Sequence, residues 1–298
     1  MTGPVLFHRI AGIGNGTGED AVILLPGLQA DHRIWRAVLS ILAADWRTVA
    51  ADNRGFGQTR FCGEPLSIEA MASDVLRLMD TLSVSRVCIA GHSMGGAIAQ
   101  WLAYHHPERV RALALCNTFR AMRSVELAAI ADRLKEPCDA QDWADIQRQL
   151  TSRLFAGGVL LGAAGAAIAE RRAAATNAIH ASGLRRQIEA LLSFDSRDWV
   201  GQLSLPTLIV DSAADRPFFA EEAGSLNRAI RASRRVTLPG GHASTVEQWR
   251  ALGHLLKTFF GEFGQPDRSP VSVYGGQGAL RLQGVSQNRQ VSRNAAPL

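Results

Sequence analysis

Gly91-His92-Ser93-Met94-Gly95 is a G-x-S-x-G pentapeptide. A serine hydroxyl is a poor nucleophile until a base takes its proton, so such a serine needs a histidine within reach and an acid to orient that histidine. The pentapeptide follows the strand-like run Arg86 to Ala90 and precedes a helical pattern from Ala97 to His105. That strand-turn-helix setting is the one in which the pattern forms a nucleophile elbow. Gly91 and Gly95 are then demanded by sterics, because the chain passes too closely there for side chains, while Ser93 is held in a strained backbone conformation. The plainer reading, a serine in a Gly-rich turn that only binds an anion, leaves the downstream partners unexplained.

Eight histidines compete for the role of base. His242 stands in Pro239-Gly240-Gly241-His242, a loop directly after the predicted strand Arg235 to Leu238, where a base could overhang a sheet edge. His254 lies inside a helical pattern and His105 and His106 end another, so those three read as solvated or structural. His92 neighbours Ser93 in sequence, yet adjacent side chains on such a turn diverge, and His8, His32 and His180 have no local argument in their favour. For the orienting acid, Asp215 follows the predicted strand Thr207 to Val210 after a short turn, and Asp211 is its rival. An acid on the loop beyond the strand can reach an imidazole, whereas one at the strand end would fix the turn itself, which favours Asp215.

An oxyanion developing at the attacked carbonyl needs two fixed N–H donors. Met94 supplies one from the start of the helix after the elbow, where the helix dipole also favours negative charge. The second is expected from the loop after the strand Val22 to Leu25, in Gly27-Leu28, with the Leu28 N–H as donor. Taken alone, Pro26-Gly27 also reads as a plain turn.

These residues need a scaffold that sets distant segments at one edge. Val22 to Leu25 is a short unbroken apolar run ended by Pro26-Gly27, as for a strand covered on both faces. Thr48 to Ala51, Arg86 to Ala90 and Val110 to Cys116 repeat that pattern, separated by helical patterns beginning near Asp31, Ser67 and Ala97. This alternation calls for a parallel sheet with crossover helices. From Phe119 to about Trp199 strand signals stop, and helices are expected near 123 to 135, 141 to 154, 160 to 181 and 184 to 193. Strands resume at Thr207 to Val210 and Arg235 to Leu238, and a closing helix runs from about Thr245 to Phe260. The reading is a core of residues 1–118 and 201–264, a helical insertion at 119–200, and a poorly ordered tail at 265–298 rich in Gln, Ser, Gly, Asn and Arg.

Composition removes other function classes. At 298 residues and 47% hydrophobic, the chain is neither disordered nor a stapled miniprotein. Cys62, Cys88, Cys116 and Cys138 form no C-x-x-C pair and have no histidine cluster nearby, so no metal and no dithiol chemistry is expected. They read as reduced thiols, and with no secretory signal at the start the expected location is cytoplasmic. The longest uncharged apolar stretch, Ala156 to Ala169, is short of the roughly 20 residues that cross a bilayer, so no membrane partner is expected. Net charge is +5, but much of it lies in the tail and no basic stripe remains to follow phosphates, so no nucleic acid is expected either. No cofactor is called for, and the sequence says nothing of oligomeric state.

Together these motifs resemble the α/β-hydrolase superfamily over about residues 5 to 262. The matching pieces are the Pro26-Gly27 loop, Asp52-Asn53-Arg54-Gly55-Phe56-Gly57, the GHSMGG elbow, His106-Pro107-Glu108-Arg109-Val110, and the late Asp215 and His242. The chain order Ser93, Asp215, His242 is the one that fold uses. Gln100-Trp101-Leu102-Ala103 and Leu115-Cys116-Asn117-Thr118 further resemble the branch of 3-oxoadipate enol-lactonases, esterases and cofactor-free haloperoxidases, although Pro26 stands where many relatives carry His. The resemblance implies an α/β fold with a mostly parallel sheet, a helical lid at 119–200 forming an acyl pocket, and hydrolysis of a small ester or lactone through an acyl-enzyme. An enol-lactonase would also need a cation for a substrate carboxylate, a role Arg120 could fill, and the apolar Phe155 to Ala169 stretch could line the pocket. Two alternatives stay open: cleavage of a carbon–carbon bond or thioester by the same residues, and a non-catalytic relative that only binds a ligand.

Overall fold

The computed structural model describes residues 4–12, 20–59, 66–152, 154–155 and 178–263. Seven strands form one sheet: β1 (His8–Ala11), β2 (Asp20–Leu25), β3 (Thr48–Ala51), β4 (Arg86–His92), β5 (Val110–Cys116), β6 (Thr207–Ser212) and β7 (Ser233–Leu238). Their spatial order is β1-β3-β2-β4-β5-β6-β7. β1 runs antiparallel to β3 and every other pairing is parallel.

The apolar runs of the central strands are unbroken because both faces are covered. Ile23 and Leu25 of β2, Val87 and Ile89 of β4 and Leu113 and Leu115 of β5 point into one core layer. Val22 and Leu24, Cys88 and Ala90, and Ala112 and Ala114 point into the other. Alternation along each strand sends successive side chains to opposite faces. The first layer is closed by α2 (Ile68–Thr81), α3 (Met94–His105) and α7 (Pro217–Ala229), the second by α1 (Arg36–Leu42) and α9 (Trp249–Gly261). Ser67 caps α2 by accepting from the Ala70 N–H, which anchors the amphipathic pattern to its first turn. A four-residue helix, α8 (Ser244–Glu247), precedes α9.

Between β5 and β6 lie α4 (Val125–Arg133), α5 (Ala140–Thr151) and α6 (Ala178–Ser193). They share a small apolar centre of Ile130, Leu134, Trp143, Ile146, Leu150, Leu184 and Ile188. Contacts at its neck and at its far side help fasten this insertion to the core. At its neck the Ser196 N–H donates to Arg120 O at 2.7 Å beside an antiparallel bridge between Ala121 and Asp195. At its far side α6 lies on the loop after β3, where Gln187 Nε2 donates to Arg54 O at 2.9 Å. The Arg54 side chain in turn forms a buried two-point pair with Asp74 of α2.

The structure departs from the sequence reading in five places. β1 and α7 were not expected from the pattern; β1 is a four-residue edge strand, and α7 follows Pro217 at its first position. The helices expected at 160 to 181 and 184 to 193 meet a single helix, α6, that passes through Gly183 without a break, while residues 156–177 lie outside the described residues. Gly183 is there for contact: a Cβ on it would strike the backbone oxygen of Gly55. Asp31 caps a 3₁₀ turn, His32–Trp35, before α1 begins, and the closing helix is split at Gln248 into α8 and α9. The expected tail, 265–298, also lies outside the described residues.

Candidate active site

The carboxyl ends of β2, β4, β6 and β7 deliver Gly27, Ser93, Asp215 and His242 to one edge of the sheet. Ser93 sits between β4 and α3 with φ 52° and ψ −115°, a conformation L-residues rarely adopt. The turn is locked around it: the Ser93 N–H donates to Cys116 O at 2.9 Å, and the Thr118 hydroxyl donates to Ser93 O at 2.7 Å. Gly91 and Gly95 have no room for a side chain, since a Cβ on the first would strike the carbonyl of Gly95 and on the second that of Leu25. Such strain persists where surrounding contacts over-determine it.

His242 Nδ1 lies 2.8 Å from Asp215 Oδ2. Both side chains are nearly sealed from solvent, at 5% and 1% exposure. Asp215 is fully engaged: Oδ2 also accepts from Asn117 Nδ2 at 2.9 Å, and Oδ1 accepts from the Arg216 N–H at 2.7 Å. Burial pushes this carboxyl up, but the hydrogen bond and charge of His242, the Asn117 amide and the Arg216 N–H together hold it below the ordinary aspartate value. The rival, Asp211, faces elsewhere, pairing with Arg235 at 2.6 Å and accepting from the Thr237 hydroxyl at 2.9 Å. The His242 ring is wedged against Phe219, centroids 4.1 Å apart, and its backbone oxygen meets His92 Nε2 at 2.8 Å.

Asn117 is the residue the sequence reading passed over. It takes a left-handed conformation (φ 47°) at the end of β5, and it is 1% exposed. Its amide donates to Asp215 and to Ser212 Oγ, and its oxygen accepts from Ser244 Oγ at 2.6 Å. The signal available was its place at the carboxyl end of a parallel strand, where side chains face the site.

Ser93 and His242 line the same cavity, of about 480 Å³, with Gly27, Leu28 and Gln29 on its core side. A Cβ on Gly27 would come within 3.1 Å of Ser93 Cβ, so glycine lets the backbone approach the serine. The Met94 N–H belongs to the first turn of α3, where amides have no helical acceptor. Across the cavity stand Met122, Leu127, Trp143, Gln147, Leu150, Phe155 and Leu191, from the insertion and its ends. Phe155 is the described end of the apolar stretch expected to line a pocket; 156–169 lies outside the described residues. Arg120 does not line this cavity. It is bound to Glu222 through both guanidinium and backbone, at 2.7 to 3.1 Å, so the role of a cation awaiting a substrate carboxylate does not fit it.

Among the described residues, Asp31, His32 and Asp52 bring ligand-type atoms within 4.8 Å of one another. Those atoms are already engaged: Asp31 holds Arg33, while Asp52 accepts from the His32 ring and backbone and from the Gln58 N–H. Their role is to shape the loop beneath the site. No helix among the described residues is long and apolar enough to cross a membrane.

A single mostly parallel sheet with helices on both faces, a serine on a strained strand-to-helix turn, and an acid–histidine pair on later loops define a fold class. The chain belongs to the alpha/beta hydrolase fold family, whose match spans residues 20–248. It is 26% identical to 3-oxoadipate enol-lactonase 2 of Acinetobacter baylyi over 244 residues, covering 82% of this chain and 89% of that one. It is 25% identical to the pyrrolizixenacetamide deacetylase of Xenorhabdus hominickii over 258 residues, 83% and 91% of the two chains. Among solved structures, the enol-lactonase from Burkholderia xenovorans LB400 superposes with a TM-score of 0.77 at 25% identity, covering 87% of this chain and 98% of that one. The relatives are hydrolytic enzymes, and this chain is an α/β-hydrolase.

Proposed function

We propose that this α/β-hydrolase cleaves a small carboxylic ester or lactone through an acyl-enzyme formed on Ser93. The observation that carries the reading is the 2.8 Å contact of His242 Nδ1 with Asp215, made by a histidine that shares a cavity with a strained serine. With Nδ1 donating to the carboxylate, Nε2 is the nitrogen free to take a proton. Ser93 Oγ attacks the carbonyl carbon while His242 Nε2 takes the hydroxyl proton, and Asp215 holds the ring and stabilises the resulting imidazolium. The Leu28 and Met94 N–H groups receive the developing oxyanion. Collapse of the tetrahedral intermediate expels the alkoxide, which takes the proton from His242. Water, deprotonated by the same histidine, then releases the acid and regenerates Ser93. The helical insertion acts as a lid over the cavity, and its apolar lining suits an uncharged substrate body.

Fluorophosphonate labelling tests this reading, because the reagent phosphonylates only an activated serine. The expected result is modification mapped to Ser93, lost in His242→Ala, with turnover across a panel of esters and lactones. Folded protein that takes up no label and turns over no member of the panel would overturn the reading in favour of a ligand-binding relative.

A further inference from the structure

The insertion side of the cavity carries buried polar groups that have no hydrogen-bond partner among the described residues. Trp143 and Gln147 both line the cavity, and they are 2% and 0% exposed. They stand four residues apart on α5, which puts them on one face of the helix. Among the described residues, the Trp143 indole N–H has no hydrogen-bond partner, and neither does the Gln147 amide nitrogen. The orientation of Gln147 is set by its oxygen, which accepts from the Gln29 side chain. Gln29 is itself held in a left-handed conformation (φ 56°), and its backbone N–H donates to Gln187 Oε1 at 3.2 Å. Gln147 thus spends its acceptor on the core and keeps its donors.

A buried donor left without an acceptor forfeits its bond to water with nothing in return, so two on one helix face are a marked departure from ordinary packing. Indole N–H can only donate, and so can an amide nitrogen. The pair therefore matches an acceptor, and a carbonyl oxygen with two lone pairs can take one bond from each. Charge selects the kind of acceptor. Among the described residues, the arginines lining the cavity are Arg33 and Arg216, and both are engaged elsewhere: Arg33 pairs with Asp31, and the Arg216 guanidinium lies over the Phe219 ring at 4.9 Å. Among the described residues, Leu127, Leu150 and Leu191 line the same cavity as Trp143 and Gln147. A carboxylate there would be desolvated without a counter-ion, whereas a neutral carbonyl loses far less on leaving water.

We infer that Trp143 and Gln147 form a two-donor subsite for a neutral carbonyl oxygen, so that the preferred substrate is an ester or lactone bearing a second, uncharged oxo group away from the scissile bond. This rests on the proposed ester or lactone chemistry at Ser93 and narrows it.

The test uses the full chain carrying Ser93→Ala and calorimetric titration with three sets of esters matched in length: alkyl, oxo-substituted at each successive position of either arm, and terminally carboxylated. The expected result is that one oxo position binds about tenfold more tightly than its alkyl counterpart, and that Trp143→Phe or Gln147→Leu reduces this ratio to near one. Trp143→Phe keeps an aromatic ring in the packing, and a ratio cancels any general loss of affinity, so a merely structural role would leave the ratio in place. Equal binding of oxo and alkyl esters at every position would overturn the subsite. So would tighter binding of the carboxylated set, or a ratio untouched by both substitutions. Fluorophosphonate labelling of the parent separates the two readings: label at Ser93 without oxo preference removes the subsite alone, and oxo preference without label removes the serine chemistry alone.

Discussion

On the sheet side of the cavity, polar groups are tied to one another, whereas on the insertion side buried donors of α5 are left open. Asp215 accepts three hydrogen bonds, Asn117 makes three of its own, and Thr118 pins the carbonyl of the strained serine. Trp143 and Gln147, across the gap, each bury a donor that has no acceptor among the described residues. A satisfied network in a low-dielectric site is stiff and pre-aimed, which suits groups that must stabilise charge as it develops. An unsatisfied one is completed by what enters. On the proposed reading, one wall reacts and the other selects.

That contrast can be broken from either wall. The largest effect is expected from Ser93→Ala, which should lower hydrolysis at least a thousandfold while leaving the melting temperature within a few degrees, read by steady-state kinetics and calorimetry. Gly183→Ala attacks the opposite wall, because the new Cβ meets the Gly55 carbonyl oxygen and must push α6 off the core. It should cost about 1–3 kcal/mol in chemical denaturation, with a loss of turnover from the displaced insertion.

Asn117→Gly tests the stiffness of the reacting wall. Glycine accepts the left-handed backbone and removes only the amide, so kcat should fall about tenfold with KM little changed. It has a second readout in acid. A carboxyl held below its ordinary value stabilises the fold fully above that ordinary value, and the contribution is lost as pH falls through the lowered one. Without the Asn117 bond the Asp215 carboxyl rises, so the acid loss of stability should set in at a higher pH than in the parent. A melting profile against pH identical in the two proteins would show that Asn117 only packs. The smallest effect is expected at Cys116, whose thiol burial pushes up to about 12: it should resist iodoacetamide at neutral pH in the folded protein and react once unfolded.

Much of the core was legible because it obeys short-range rules. The apolar runs of β2, β4 and β5 declare strands covered on both faces, and Gly91 and Gly95 flank Ser93 because the turn admits nothing larger. The choice of Asp215 over Asp211 rested on where each acid lies relative to its strand; in the structure Asp215 meets His242, and Asp211 meets Arg235 and Thr237. β1 was not legible, since a four-residue edge strand with mixed exposure has no period to read. Gly183 looked like a helix boundary because in one dimension a glycine that breaks a helix is the same as one that lets a neighbouring backbone approach. Arg120 looked available because its partner, Glu222, lies 102 residues away.

What the sequence by itself determined is the central strands of the sheet and the tight turn around Ser93. Those depend on local sterics and on periodicity, which each segment states for itself. Only the tertiary structure decided that Asn117 holds Asp215 and that Glu222 occupies Arg120. It also decided that Gln29 takes the acceptor of Gln147 and that the Gln147 amide nitrogen has no acceptor among the described residues. Whether a polar atom is satisfied is a property of its neighbours in space, and those come from segments separated by about a hundred residues.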